Sequence, residues 1–307
     1  MKKPEVTIAI PFFNAGRDLV ESVQSVFAQT FHDWELILCN DGSDDASLDF
    51  ARSLDDPRVR VLSDGRRRGL APRLNETISA ARGEYYFRHD ADDVMHPERV
   101  AQQLAALRSA APDVVSGSAS YAINLQSETV GMRRVGKPGK GFAARHNLVH
   151  PTVAARTDWF RRNPYSENPV YFRCEDAELW CRISEHTEFL LLDTPLVFVR
   201  EGDIFYWTKY VGTGFGVLHL ARRHSRNKRH EAYLLTRELA KIWLTSVCDT
   251  FGAAELITNR RFGPIAPDAA AVADAVMRRI QTQALPVSFP TELYSEFQRS
   301  EEAACLA

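Results

Sequence analysis

The chain has 307 residues, 45% of them hydrophobic, enough for the core of one large domain or of a domain with an appendage; disorder is excluded as the default. Its 38 basic and 40 acidic side chains give a net charge of −2, so the molecule as a whole has no electrostatic reason to seek nucleic acid. Five cysteines, Cys39, Cys174, Cys181, Cys248 and Cys305, are an odd number without metal-like pairing, which suits a reducing compartment.

The opening MKKPEVTIAIPFFNAG holds an apolar run too short, and too soon broken by Pro11, for a secretory signal or a membrane span. No later run is long enough either, and a cytoplasmic chain is expected. Val6 to Ile10 is β-branched and apolar, and Leu19, Val23, Val26 and Phe27 follow at helical spacing. That predicts a strand and then a helix. The unit repeats through Trp34 to Asn40 with Ala46 to Leu54, Arg58 to Leu62 with Leu70, Leu74 and Ile78, and Tyr85 to Arg88 with Val100, Leu104 and Leu107. Strands alternating with amphipathic helices predict an α/β fold with a parallel sheet covered on both faces. Ligands of such sheets bind beyond the carboxyl ends of the strands, where FFNAG, NDGSDD and HDADD all fall.

Beyond residue 112 the alternation weakens. Short strand-like runs lie at Asp113 to Ser116, Val149 to Ala154 and Leu196 to Val199, with a helix near Glu175 to Glu185. From Asp203 the pattern is mostly helical; Lys228 to Cys248 is the longest candidate, and Pro264 and Pro267 separate it from a final helical pair. There is no internal repeat.

Three carboxylates within four residues, Asp90, Asp92 and Asp93, repel one another unless a cation compensates. Mg²⁺ or Mn²⁺ takes hard oxygen ligands of this kind, and Asp90 and Asp92 suit an open site. Capping of the helix that starts near Pro97 is the structural alternative. Asp41 before Gly42 either accepts a hydrogen bond from a ligand amide or makes an Asx-turn. Four arginines between Arg66 and Arg73 either grip a diphosphate or form a solvated charge run. Glu175 and Asp176 open a helix, where the helix dipole alone accounts for acids; Asp176 as a general base is the sharper reading. His150, before a proline, is a candidate metal or phosphate contact, or a hydrogen-bonded structural histidine.

In this order the clusters resemble the inverting glycosyltransferases of family 2, which have the GT-A fold. IAIPFFNAG is similar to that family's first strand and turn, QTFHDWELILCNDGSDD to its uridine-binding region, and RGLAPRLNETISAARGEYYFRHDADD to the run into its D-x-D motif. HPTV and CEDAELWCR resemble its acceptor-side elements, and the likeness spans about residues 4 to 200. It implies a GT-A domain over 1–202, with a nucleotide-sugar half at 1–112 and an acceptor half at 113–202, followed by a helical extension at 203–307. It also implies residue roles. Asp41 would read the uracil imide, with Pro11, Phe12 and Asn14 shaping the base pocket. Asp90 and Asp92 would hold ribose and a divalent metal, Mn²⁺ or Mg²⁺, with Asp93 competing because DADD allows two registers. Arg73 would lie near the diphosphate, Asp176 would be the base, and His150 and Glu175 would meet acceptor or diphosphate. Asn40 departs from the family pattern, since many members have an Asp there, and Arg88 and His89 replace apolar residues often found before the D-x-D. The Q-x-x-R-W motif of processive synthases is absent, so a single addition is expected.

The resemblance implies a UDP-sugar donor and a glycan or lipid-linked acceptor in bacterial lipopolysaccharide, capsule or exopolysaccharide synthesis. The rival readings are a metal-dependent phosphohydrolase and a non-catalytic nucleotide-sugar binding module. The basic stretch from Ala221 to His230 either draws the chain to the anionic inner membrane or is a solvated helix face, the simpler account.

Overall fold

The computed structural model describes residues 3–201, 207–225, 227–250 and 262–288, with side chains except at 207–212, 245 and 249. The repeating unit expected of the first half is present. Strand β1 (Val6–Phe12) precedes helix α1 (Gly16–Phe27), and β2 (Trp34–Asn40) precedes α2 (Ser47–Ser53). Then come β3 (Val59–Leu62), α3 (Leu70–Ala80), β4 (Tyr85–Arg88), a two-residue β5 (Val94–Met95) and α4 (Arg99–Arg108).

The second half adds β6 (Val114–Ile123), β7 (Thr129–Arg133), β8 (Ala154–Arg156), α5 (Thr157–Arg162), α6 (Glu175–Ile183) and β9 (Glu188–Arg200). Among the described residues three helices follow: α7 (Trp207–Arg223), α8 (Lys228–Thr250) and α9 (Pro267–Gln281). The rest of the expected final helical pair lies outside the described residues.

Eight strands run in the order β3-β2-β1-β4-β8-β6-β9-β5, and β7 pairs with β6. The β3-β2-β1-β4 block and the β6-β9 pair are parallel, whereas β8 is antiparallel to both β4 and β6. The sheet is mixed and mainly parallel. Its period-2 geometry sorts the apolar residues: Val6, Ile8, Ile10 and Phe12 of β1 face the layer of α1, α2 and α4, while Ala9 faces that of α3, α5 and α6.

Two departures from the sequence expectation have physical causes. Strands β6 and β9 are much longer than the apolar runs suggested: VVSGSASYAI of β6 carries Ser, Gly and Ala where it lies close to its neighbours, and Asp193, Thr194 and Pro195 interrupt the apolar run of β9 at an irregularity in its pairing. The run Val149 to Ala154 is not a strand through its length: His150–Thr152 forms a 3₁₀ turn before the three-residue β8, as the fixed φ of Pro151 favours. The helices beyond residue 203 pack back onto the sheet domain. Ala273, Met277 and Ile280 of α9 share a core with Val94, Ile123 and Phe198, and Leu220, Ala221 and Leu234 pack on Cys174, Ala177 and Cys181 at α6.

Candidate active site

Strand register sets the site's floor. Phe12 pairs with Asn40 and Ala9 with Arg88, so the loops after β1, β2 and β4 leave one edge of the sheet. At this edge a cleft of about 910 Å³ is lined by Arg88, Asp90 and Asp92 on one side and by His150, Glu175 and Asp176 on the other. Leu70, Phe172 and Thr213 complete parts of its wall.

Carboxylate oxygens of Asp90, Asp92 and Asp93 lie within 4.8 Å of one another. Their settings differ. Asp92 is exposed, whereas Asp93 is buried and accepts the backbone N–H of Arg200 at 2.9 Å. Asp90 is ion-paired to Arg88, a side chain with almost no exposure whose Nε and Nη1 have no hydrogen-bond partner. Burial pushes Asp90 up to about 6 against the opposing charge of Arg88, and burial with the charges of Asp92 and Asp90 carries Asp93 well above the carboxylate range.

Across the cleft, α6 begins at Glu175, so Asp176 sits in its first turn and its carboxylate takes hydrogen bonds from the helix-start N–H groups. Burial raises Asp176, opposed by those N–H groups and by Arg88; burial and the neighbouring Asp176 push Glu175 up to about 7. Reactive atoms of His150, Glu175 and Asp176 also lie within 4.8 Å of each other. His150 bonds the Tyr165 hydroxyl at 2.9 Å through Nε2, and burial, aided by Arg88, holds it well below its usual value, so it is neutral.

The β1 and β2 loops form a separate, tied unit. Asn14, at φ 45°, exchanges hydrogen bonds with Asp44, and Gly42 at φ +77° lets the chain pass where a Cβ would meet Arg66 C at 2.9 Å. Asp41 accepts the N–H groups of Arg68 at 2.7 Å and Gly69 at 3.0 Å and the Nε–H of Arg73 at 3.0 Å. Arg73, expected near a diphosphate, is fully buried against Asp41, Asp64 and Glu76 and does not line the cleft. Phe12, expected to shape a base pocket, has its ring in the core; Phe13, not singled out in the sequence, carries the guanidinium of Arg67 3.7 Å above its ring. Pro11 is likewise buried within β1.

Three supporting residues escaped sequence reasoning. Arg99 donates to His89 Nδ1 at 3.1 Å and to the Arg88 carbonyl at 2.8 Å. Arginine only donates, so His89 Nδ1 accepts and its proton resides on Nε2, which donates to the Asp93 carbonyl at 3.0 Å. Arg200 binds the Asp92 carbonyl at 3.0 Å and Glu21 at 2.8 Å, tying the acidic loop to α1. The polar pair Arg88 and His89 directly before DADD was the signal available for His89; nothing in the sequence marks Arg200.

Residues 7–167 match the family described as Glycosyl transferase family 2. The chain belongs to that family. It is a glycosyltransferase, which sets aside the phosphohydrolase and binding-module readings. EpsE of Bacillus subtilis, named a putative glycosyltransferase, is 30% identical over 191 residues, 59% of this chain and 67% of EpsE. The glycosyltransferase GlyG of Streptococcus pneumoniae is 35% identical over 115 residues, but the match spans 38% of GlyG and 37% of this chain.

The fold is that of GT-A enzymes. S. aureus TarS 1–349 in complex with UDP-GlcNAc superposes with a TM-score of 0.55 at 16% identity, covering 76% of this chain and 71% of TarS 1–349. The mannosyltransferase PcManGT from Pyrobaculum calidifontis, in complex with GDP-Man and Mn²⁺, gives 0.54 at 16% identity, covering 92% of this glycosyltransferase and 85% of PcManGT.

Proposed function

We propose that the protein transfers one sugar from a UDP-sugar to a hydroxyl of a glycan or lipid-linked acceptor, with inversion, in the assembly of a bacterial surface polysaccharide. The observation that carries this reading is that Asp90 and Asp92 at the end of β4 and Asp176 at the start of α6 line one cleft. UDP as the carrier is supported by the NDGS likeness and by TarS, which binds UDP-GlcNAc; the GDP-Man complex of PcManGT makes the nucleotide a point to test.

A divalent cation fits the acidic loop: three hard-oxygen donors are gathered within 4.8 Å, and one of them, Asp92, is open to the cleft. Asp90 and Asp92 would hold it, with Asp93 behind them. When bound, such an ion supplies positive charge for the departing nucleoside diphosphate. The protein's own groups do the rest. Asp176 takes the proton of the acceptor hydroxyl as that oxygen attacks the anomeric carbon from the face opposite the leaving group. N–H groups at the helix start and the Arg88 charge keep the Asp176 carboxylate available as a base despite its burial. Glu175 beside it and neutral His150, fixed by Tyr165, bound the acceptor side.

The test is transfer itself. Incubation with UDP-sugars, Mn²⁺ and glycan or lipid-linked acceptors should release UDP with product formation in the wild type. Asp176→Asn should bind UDP as tightly while transfer falls by about 10²- to 10⁴-fold. Transfer at the wild-type rate by Asp176→Asn would remove Asp176 from its role.

A further inference from the structure

The outer face of α8 is apolar where a surface helix is ordinarily charged. Tyr233, Leu239, Trp243 and Leu244 are 61%, 54%, 68% and 52% exposed, and exposed Thr236 and Ala240 fill the face between them at helical spacing. The acids with described side chains on this helix point inward: Glu231 and Glu238 side chains are 19% and 9% exposed, and Glu238 is held by Arg145, Arg237 and Lys241. Its cations face water, with Lys228 at 96% and Lys241 at 55%, and Arg222 at the end of α7 at 69%. Beside Tyr233 a second cleft of about 440 Å³ is lined by Lys140, Arg145 and Arg237 against the single acid Glu185.

We propose that this face of α8 seats the protein on an anionic lipid surface, its apolar side chains in the headgroup–acyl boundary and its flanking cations on the phosphates. Tryptophan and tyrosine suit that depth because each has an apolar body and a polar edge. No helix among the described residues is long and apolar enough to cross a membrane, so α8 lies along the surface. A second copy of the chain fits less well. A twofold contact through α8 would bring its exposed lysines toward their own copies, with no exposed acid among the described α8 side chains to meet them. Helix α7, whose Thr213 lines the large cleft, packs along α8, which places the acceptor side next to this surface. The surface does not depend on the reading of that cleft.

The test is flotation of the full chain with vesicles of phosphatidylcholine alone and of phosphatidylcholine with phosphatidylglycerol, at low and high salt. The wild type should float with the anionic vesicles and release in salt. Trp243→Glu and Leu239→Glu should each weaken binding by at least about tenfold. Arg229→Glu, at an exposed position one helical turn before Tyr233, should weaken it at low salt. Both apolar positions are exposed, so circular dichroism should show the fold retained. Failure of the wild type to float with anionic vesicles, or flotation of both glutamate variants like the wild type, would overturn the proposal. So would sedimentation showing a wild-type dimer that Trp243→Glu dissolves without any vesicle binding.

Discussion

Arg73 donates its Nε–H to Asp41 at 3.0 Å inside the protein, so two residues that the sequence marks for a nucleotide are bound to each other. The pair clamps the turn at Arg68 and Gly69 over the end of β2. A buried charge that loses its partner is expensive. Arg73→Met should therefore destabilise the fold by about 3–5 kcal/mol, read as a lower urea midpoint at unchanged slope. Were Arg73 a diphosphate grip instead, the substitution would weaken UDP binding and leave the midpoint where it is.

The acidic loop separates into two kinds of carboxylate. Asp92→Asn should abolish the rise in Tm that Mn²⁺ gives the wild type while leaving the metal-free Tm nearly unchanged, because its side chain is exposed in the cleft. Burial, with the charges of Asp92 and Asp90, raises Asp93 toward its neutral form, and Asn is close to that form in shape and charge. Asp93→Asn should keep most of the Mn²⁺ response. Thermal shift titrations of the two variants make the comparison directly.

Glu175 gives stability a definite pH slope. Its folded value of about 7 lies above the ordinary 4.5, so between these limits the native state binds more protons than the unfolded state. Stability contributed here is present at low pH and lost as pH rises through about 7, a change of up to about 3 kcal/mol. Glu175→Gln should flatten that decline in denaturation midpoints measured from pH 5 to pH 8. The transfer rate runs the other way, since Asp176 must be ionised to take a proton: kcat should rise with pH on a limb above the usual carboxylate range.

Arg99 joins His89 to the Arg88 carbonyl and Gln103 in a fully buried chain of donors and acceptors. Arg99→Lys cannot reach all three acceptors. It should cost about 1–3 kcal/mol for each acceptor left unsatisfied, and it should lower transfer because His89 holds the loop that carries Asp92. Chemical denaturation and kcat, measured on the same preparation, test both effects.

The sheet and its helices were legible because burial imposes a period. Every residue of β1 and β2 is buried, and the helical stripe of Leu19, Val23 and Val26 needs nothing beyond its spacing to choose a face. The acids of the cleft were legible too, since like charges crowded at strand and helix ends are costly without a function. Strand β6 was not, because its Ser and Gly residues are buried by close neighbours rather than by their own hydrophobicity.

What the sequence determined by itself was the strand and helix alternation up to about residue 112 and the carboxylates that meet at one edge of the sheet. Tertiary structure alone decided who partners whom. Phe12 and Phe13 are adjacent and identical in type, yet Phe12, the last residue of β1, has its ring in the core while Phe13, in the bend beyond it, lies beneath Arg67. Arg73 is committed to Asp41 across 32 positions of chain, and α8 turns Glu231 and Glu238 inward and Tyr233 and Trp243 out, since each choice depends on neighbours that only the folded chain brings near.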